Sequence, residues 1–214
     1  MKVALIGATG FVGSALLQEL LSRDHEVTVL GRDAAKLPQH ARLHFVATDA
    51  YDAAQVARGV AGQQALISAF NPGWGKPDIR ALFVKGHDAI VAGLKQAGVA
   101  RFIEIGGAGS LFVAPGVQAL DTPHFPAEWK EGAEGARDAL NKLRQESTLE
   151  WTFVSPATFL EPGERSGKFR LGGDDVLMAA DGTPGRISTA DLAVAVVNEL
   201  ELPQHLRQRF TAAY

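Results

Sequence analysis

A glycine-rich turn near the start of this 214-residue sequence constrains its fold more than any other feature. The apolar run Val3–Ile6 leads directly into Gly7-Ala8-Thr9-Gly10-Phe11-Val12-Gly13, and leucines then recur at helical spacing. In such a strand–turn–helix unit, glycines permit the tight turn, the approach of the backbone to a pyrophosphate and the close packing of the helix, while the helix N-terminus offers unpaired N–H groups to the anion. The turn therefore predicts a dinucleotide-binding site rather than a generic strand-to-helix connection. Its predicted contact residues are Gly7, Thr9, Gly10, Phe11, Val12 and Gly13.

The first hundred residues alternate between short apolar runs and helical patterns. After the glycine turn, apolar runs occur at Val27–Leu30, Leu43–Val46, Ala65–Ser68 and Phe102–Ile105, and apolar residues at helical spacing mark Ile79–Ala97. Strands that are separated by helices cannot form hairpins, so they form right-handed βαβ units. The pattern predicts an α/β fold, a Rossmann-type doubly wound parallel sheet with helices on both faces.

The pattern becomes irregular after Gly106, but nothing in it marks a domain boundary. We therefore expect one NAD(P)-binding domain over residues 1–214, with 106–129 and 156–186 contributing a substrate-side region. This C-terminal third is too irregular to fold alone and is expected to pack over the carboxyl ends of the sheet. The later predicted elements are a helix near Ala133–Leu143, a strand at Trp151–Val154, short β-like pieces at Lys168–Leu171 and Val176–Ala179, a helix capped by Ser188 with Asp191 in its first turn, and a closing strand at Arg209–Ala213.

Composition excludes several classes of function. The net charge of −3 provides no field to attract nucleic acid or an anionic membrane. The absence of cysteine excludes disulfide scaffolds, iron–sulfur clusters and cysteine nucleophiles. The histidines show no metal-ligand spacing, so no metal site is predicted. No apolar run approaches the roughly 18 residues that span a bilayer. We expect a cytoplasmic protein that acts on a small molecule.

The end of the second predicted strand bears on the choice between the two nicotinamide dinucleotides. NAD sites usually place Asp or Glu roughly 20 residues past the glycine loop, but here that region contains Gly31 and Arg32. A guanidinium pairs bidentately with a 2′-phosphate, and Lys36 adds positive charge, so NADP(H) is preferred. Alternatively, Arg32 is merely solvated and Asp33 caps the next helix. Asp33 facing the ribose would allow NAD(H).

Residues after the other predicted strands complete the expected cofactor site. Asp49 can accept a hydrogen bond from the adenine amino group or cap the following helix, and these roles are compatible. Ala69 and Phe70 follow the fourth strand and are expected to pass beside the cofactor riboses. Gly106 and Pro156, at the ends of later strands, are expected to border the same site.

Segments from almost the whole chain carry a family resemblance: Gly7–Gly13 with Arg32 and Asp49, Ala97–Phe102, Ile105–Leu111, Trp151–Ala157 and Arg165–Gly172. They resemble the atypical short-chain dehydrogenase/reductase superfamily, in particular its NAD(P)H-flavin reductases and NAD-dependent epimerase/dehydratase-like proteins, which have biliverdin reductase B-like and NmrA-like relatives. The glycine motif is common to the superfamily, whereas the later segments are more specific to this subgroup. The resemblance implies a Rossmann fold, a nicotinamide dinucleotide and a small-molecule acceptor.

The sequence departs from the superfamily at its proton donor. Typical members carry a Tyr-x-x-x-Lys pair, but here Tyr51 is followed four residues later by Gln55, and Tyr214 is the last residue. Trp129 occupies roughly the expected region, and an indole cannot serve as that acid. We therefore expect hydride transfer to a planar acceptor such as a flavin or quinone, with water as the proton source. The alternative is a non-catalytic NADP(H)-binding redox sensor, as among NmrA-like proteins, and a nucleotide-sugar epimerase or dehydratase is disfavoured.

Two polar residues are candidates for a catalytic role. Ser110 lies near the region where the superfamily often has a catalytic serine, but its offset from the strand end favours a loop hydroxyl that makes a hydrogen bond within a turn. His124 can act as a general acid, although a loop histidine is commonly just exposed. Aromatic residues in the same loops either form a stacking platform for a planar acceptor or close the small core beneath the loops. They are Phe70, Trp74, Phe112, Phe125 and Trp129.

The oligomeric state is only weakly indicated by the sequence. The helix predicted over Ile79–Ala97 shows no additional exposed apolar face for helix pairing. A monomer is therefore favoured over a homodimer.

Overall fold

The computed structural model describes residues 1–214 and contains twelve strands and five α-helices. The strands are β1 (Lys2–Ile6), β2 (Glu26–Gly31), β3 (Leu43–Ala47), β4 (Ala65–Ser68), β5 (Arg101–Ile105), β6 (Phe112–Ala114), β7 (Val117–Gln118), β8 (Glu150–Pro156), β9 (Phe159–Glu161), β10 (Arg170–Gly172), β11 (Arg186–Ser188) and β12 (Gln208–Ala213). The helices are α1 (Gly13–Ser22), α2 (Ala53–Val60), α3 (Ile79–Ala97), α4 (Ala127–Leu143) and α5 (Thr189–Glu201).

Eight of the strands form one sheet in the order β3-β2-β1-β4-β5-β8-β12-β10. All neighbours are parallel except β10, which pairs antiparallel with β12 at the edge. The chain builds the sheet outwards from β1 in one direction and then, from β4, in the other. The predicted doubly wound fold is therefore confirmed, with its topological switch point between β1 and β4, where ligands of such sheets bind.

Apolar layers cover both faces of the sheet. Leu16 and Leu20 of α1 are fully buried together with the apolar residues of α5 on one face. On the other face, buried side chains of α2, α3 and α4 pack on β4 and β5. Leu66 of β4 and Phe102 of β5 are fully buried beneath these helices. Because both faces are covered, the central strands are almost continuously apolar, as buried parallel strands require.

Local signals set the helix boundaries. The predicted cap of α5 is confirmed, since Ser188 Oγ accepts the Asp191 N–H at 2.9 Å. The Asp52 carboxylate accepts the N–H groups of Ala54 and Gln55 and so begins α2. Gly98 ends α3 in the left-handed region, with φ of 69°, which glycine adopts without steric cost.

The connection between β2 and β3 contains no helix, contrary to the expected alternation. Asp33 therefore caps no helix, and its carboxylate instead accepts the Ala35 N–H at 2.9 Å in a local turn. A second turn follows, in which the Leu37 N–H donates to the Ala34 carbonyl. Pro38 has no N–H and disfavours helical geometry in the residue before it. These local bonds leave Arg32 and Lys36 on an exposed loop rather than on a helix.

The C-terminal third was predicted to pack over the carboxyl ends of the sheet, but in the structure much of it belongs to the sheet and its helical layer. Strands β8, β10 and β12 extend the sheet itself, and α5 packs beside α1 on one face. The expected β-like piece at Val176–Ala179 is not a strand and has only a single bridge between Met178 and Pro184. The loop expected after Gly106 contains the short hairpin β6–β7. Such pairings depend on partners distant in sequence, which periodicity does not reveal.

Candidate dinucleotide-binding site

The glycine loop connects β1 to α1 at the switch point of the sheet. Gly7 has φ of 82°, and its carbonyl accepts the Gly10 N–H at 2.9 Å. A β-carbon on Gly7 would overlap the Ala69 carbonyl, and one on Gly13 would overlap the Gly7 carbonyl. Gly7 and Gly13 are therefore required by the backbone itself. A β-carbon on Gly10 would meet only the Gly7 carbonyl oxygen, at 3.2 Å. The space beside Gly10 is therefore not filled by the protein, and a ligand can approach the backbone there.

The loop also presents unused hydrogen-bond donors. The N–H groups of Thr9, Phe11 and Val12 make no hydrogen bond within the protein, and no side chain caps the N-terminus of α1. The free N–H groups at a helix N-terminus and the helix dipole together favour an anion. This arrangement suits the pyrophosphate of a dinucleotide.

Arg32 follows β2 at the same edge of the sheet. Its side chain is exposed and forms neither a hydrogen bond nor an ion pair, and the same holds for Lys36. Asp33 points one carboxylate oxygen back into its own turn. Among these three charged residues, Arg32 and Lys36 are therefore the ones whose charged groups remain entirely available to a ligand.

Asp49 follows β3 and does not cap a helix, because Asp52 caps α2. One Asp49 oxygen accepts the Tyr51 N–H at 3.0 Å, and the Asp49 N–H donates to the Gln55 side chain at 3.0 Å. These bonds fix the orientation of the exposed carboxylate and leave its second oxygen free. Of the two roles considered for Asp49, the contact with adenine is the one that this geometry leaves open.

Three of the five aromatic residues named above differ in their surroundings. The Phe70 ring packs against Phe83 at 6.2 Å between centroids and fills the space that a β-carbon on Gly86 would need, so Phe70 closes the core. Trp74 and Trp129 are 60% and 53% exposed. The Trp74 ring lies against Gly132, which follows Trp129 by three residues in α4 and so shares its helix face. The Trp74 ring therefore packs on the face of α4 that also carries Trp129.

Ser110 and His124 lie in very different surroundings. Ser110 is buried, and the Arg209 guanidinium donates to its Oγ at 2.9 Å and to its carbonyl at 3.0 Å. Arg209 also donates to Asp174 at 2.7 Å. His124 is exposed and has no hydrogen-bond partner in the protein. The Ser110 hydroxyl thus holds the loop after β5, though its bond joins distant segments rather than closing a local turn.

Gly106 and Pro156 lie at the carboxyl ends of neighbouring strands, as expected. A β-carbon on Gly106 would overlap the Phe153 ring, so its small size is required by packing. Pro156 is the buried last residue of β8 and pairs in register with Ala212.

Two carboxylates that sequence reasoning missed hold the loop 162–169. Arg165 donates two hydrogen bonds to Glu19, at 2.7 and 2.9 Å, which lower the pKa of this carboxyl although burial opposes the shift. The Asp191 carboxylate accepts the N–H groups of Ser166 and Gly167 at 2.9 and 2.7 Å. Only a capping role was evident for Asp191 in the sequence, because its loop partners lie more than twenty residues away.

A buried ion pair lies beneath the site, between α3 and β5. His87 Nδ1 contacts both Glu104 oxygens, at 3.0 and 2.9 Å. Burial lowers the pKa of His87, but the charge and hydrogen bond of Glu104 outweigh burial and raise it overall. Neither residue was singled out from the sequence, since each one interrupts an otherwise apolar pattern without any spacing signal.

Two further features concern the whole chain. No helix combines the length and apolar character that crossing a membrane demands. No three His, Cys, Asp or Glu residues are grouped so as to hold a metal ion.

Comparison with known proteins gives consistent matches over the full chain. A family model described as NAD(P)H-binding matches residues 7–203. The uncharacterized protein YwnB of Bacillus subtilis is 38% identical over 99% of this chain and 97% of its own. A solved structure from Bacteroides thetaiotaomicron, provisionally named an epimerase, is 41% identical with a TM-score of 0.93, covering 100% of this chain and 96% of that one. One from Streptococcus pneumoniae, provisionally named an NADH-flavin reductase, is 34% identical with a TM-score of 0.87, covering 100% and 99%.

Proposed function

This chain belongs to the NAD(P)H-binding family, and from that premise we propose that it is an NADPH-dependent reductase that passes hydride to a planar acceptor such as a flavin or quinone. Membership of the family and the similarity to the Streptococcus pneumoniae protein support an NAD(P)H oxidoreductase, as the sequence resemblance implied. The preference for NADPH and the nature of the acceptor are the parts that we add.

The unpaired guanidinium of Arg32 is the observation that carries the preference for NADPH. Arg32 lies where an NAD site usually has a carboxylate, and it has no partner in the protein. A charge-assisted hydrogen bond to a phosphate is roughly twice as strong as a neutral one. The 2′-phosphate of NADPH therefore offers Arg32 a partner that NADH lacks.

The lack of a tyrosine–lysine pair supports a planar acceptor. Reduction of a flavin or quinone consumes one hydride and one proton, and the proton can come from water. NADPH supplies the hydride, while this chain binds the pyrophosphate at the glycine loop and holds the two reactants together. We assign stacking of the planar acceptor to the indoles of Trp74 and Trp129, which are exposed, apolar and flat. The epimerase name of the Bacteroides relative fits less well, because this chain lacks the tyrosine of the usual route.

Steady-state NADPH oxidation with FMN, riboflavin and a benzoquinone tests the proposal. The variant Gly10→Asp places a carboxylate where the pyrophosphate would lie, and Ala61→Asp adds the same charge to an exposed residue after α2 as a control. We expect acceptor-dependent oxidation by the wild type and by Ala61→Asp, and its loss in Gly10→Asp. Turnover that survives in Gly10→Asp would contradict the proposal. Binding of NADPH without oxidation by any acceptor would favour the redox sensor instead.

A further inference from the structure

The connection between β4 and α3 begins in contact with the glycine loop. A β-carbon on Gly7 would overlap the carbonyl of Ala69, the first residue after β4. The Phe70 ring then fills the space over Gly86 of α3. Because both contacts leave no room for an added atom, this end of the connection has a fixed position relative to the glycine loop.

Trp74 lies in the middle of the same connection, between two glycines. Gly73 and Gly75 have φ of 108° and 82°, and the Asn71 side-chain oxygen accepts the Gly73 N–H at 2.8 Å. The chain therefore turns on both sides of the indole. Trp74 follows Ala69 by five residues, so their Cα atoms are at most about 18 Å apart. The indole thus belongs to the surroundings of the glycine loop.

The indole of Trp74 rests on α4 at Gly132. A β-carbon on Gly132 would lie 2.6 Å from Cζ3 and 3.1 Å from Cη2 of the indole, and 3.3 Å from Ile79 of α3. Only glycine therefore leaves room for the ring in this position. Trp74 is nevertheless 60% exposed. The protein supports one part of the indole and leaves the rest of this flat, apolar surface open to a ligand.

The connection after β5 packs on the next residue of α4. A β-carbon on Gly109 would lie 2.9 Å from Ala133 Cβ and 3.3 Å from the Phe125 ring. The connections that follow β4 and β5 thus both contact α4 at the adjacent residues Gly132 and Ala133. In the proposed function adenosine binds after β2 and β3, so the nicotinamide half would extend from the glycine loop towards β4 and β5. The acceptor must meet the nicotinamide on that side.

We propose that Trp74 makes the site selective for fused-ring acceptors, such as the isoalloxazine of a flavin, over single-ring quinones, and that Gly132 is the positioning residue that keeps the indole against α4. The inference rests on the proposed reductase function and narrows its acceptor class. The stabilisation from stacking grows with the apolar area that two rings cover. An indole has two fused rings, so a tricyclic acceptor covers more of it than a benzoquinone does.

Acceptor kinetics of Trp74→Leu and Gly132→Ala test the proposal. Leucine removes the flat ring, whereas alanine at position 132 meets the edge of an exposed indole, so the indole and not α4 must move. We expect both variants to raise the KM for FMN and riboflavin about three- to tenfold, as the loss of one aromatic stacking contact implies. The KM for benzoquinone should rise less, and NADPH affinity should stay unchanged. Ala61→Val, which enlarges an exposed side chain after α2, is the control and should change none of these constants.

The indole N–H signals in NMR give a second readout that does not depend on turnover. The chain has three tryptophans, and the buried Trp151 donates its indole N–H to the Glu146 carbonyl at 3.2 Å, so its signal is an internal reference. The Trp74 signal is the one that disappears in Trp74→Leu. With NADP⁺ present, FMN should shift the Trp74 signal and leave the Trp151 signal in place. Gly132→Ala should shift the Trp74 signal before any ligand is added.

Three results would overturn the inference while leaving the reductase function intact. They are an unchanged KM for FMN and riboflavin in Trp74→Leu, an equal rise in the KM for FMN and for benzoquinone, and a Trp74 signal that does not respond to FMN. An unchanged Trp74 signal in Gly132→Ala would refute the positioning role of Gly132. A wild type that oxidises NADPH with none of the acceptors would overturn the proposed function and the inference together.

Discussion

The Arg209 guanidinium on β12 donates to both oxygens of Ser110, at 2.9 Å to Oγ and 3.0 Å to the carbonyl. The same guanidinium donates to Asp174, so it joins the loop after β5 to the loop after β10. Burial disfavours the charge and lowers the pKa of Arg209 despite the neighbouring Asp174. This bond network ties the loops after β5 and β10 to β12.

Replacement of Arg209 by Met should therefore destabilise the protein and displace the Ser110 loop. We expect a loss of about 2–3 kcal/mol in the free energy of unfolding, because Ser110 and Asp174 lose their buried partner. The exposed Arg144, which also contacts Asp174 at 3.0 Å, is the matched control, and Arg144→Met should cost no more than about 0.5 kcal/mol. Urea unfolding measures both. Equal losses in the two variants would show that the buried bonds to Ser110 contribute nothing particular.

Arg32→Ala should remove the preference for NADPH without affecting the fold. The side chain has no partner in the protein, and charge-assisted hydrogen bonds contribute about 1.5–3 kcal/mol, so NADPH affinity should fall by about tenfold or more while NADH affinity stays nearly constant. Gly31→Asp should favour NADH, since a β-carbon there meets nothing closer than Phe45, at 3.8 Å. The control variant is Arg42→Ala, because Arg42 pairs with Asp24 at the amino-terminal edge of the sheet, opposite to Arg32. Titration of the wild type and the variants with NADPH and NADH measures these affinities. Equal Kd values of the wild type for the two dinucleotides would refute the role of Arg32.

The buried pair of His87 and Glu104 should make stability depend on pH. The pKa of His87 is raised above its ordinary value of 6.5, so the stabilisation is fully present below about pH 6.5 and disappears as the pH rises through the raised pKa. The neutral double variant His87→Asn with Glu104→Gln lacks this dependence. The wild type should therefore lose stability relative to the double variant as the pH rises. The total loss should be about 1.4 kcal/mol for each unit by which the pKa of His87 in the folded chain exceeds that in the unfolded chain. A difference that is constant with pH would mean that the pKa of His87 is the same in the folded and unfolded chains, and a difference that widens with rising pH would mean that it is lowered in the fold.

Asp191 should control the exposure of the loop 162–169. Although burial opposes its ionisation, the hydrogen bonds from Ser166, Gly167 and Tyr214 hold the pKa of Asp191 below its ordinary value. Asp191→Ala removes these acceptors, so trypsin should cleave the native protein faster after Arg165, as mass spectrometry of the fragments would show. Asp181→Ala is the control, because the exposed Asp181 carboxylate accepts hydrogen bonds only from Thr183 in its own turn. Unchanged cleavage in Asp191→Ala would mean that Glu19 alone holds the loop.

The sequence predicted the parts of this structure that depend on local patterns. The glycine turn, the alternation of strands and helices, the span Ile79–Ala97 and the cap at Ser188 follow from periodicity, conformational freedom and capping chemistry. The alternative in which Asp33 caps a helix after β2 was wrong, because the Ala35 N–H donates to the Asp33 carboxylate in a local turn and no helix follows.

The features that sequence reasoning missed depend on contacts between distant segments. Arg209 with Ser110 and Glu19 with Arg165 are each separated by at least ninety-nine residues along the chain. Tyr51 was noted only for the lysine that does not follow it. Its buried, unpaired hydroxyl becomes evident only once the fold brings the segment after β3 against Phe70, which follows β4. No one-dimensional pattern encodes such proximity.

The most direct test of hydride transfer is the fate of deuterium at C4 of the nicotinamide. NADPH carrying deuterium on one or the other face is oxidised by the protein with a benzoquinone, and the NADP⁺ formed is analysed by mass spectrometry. Because the glycine loop and Arg32 would bind the cofactor in one orientation, one isomer should yield NADP⁺ without deuterium and the other should retain it. The same mixture from both isomers, or no quinone-dependent oxidation at all, would contradict the account.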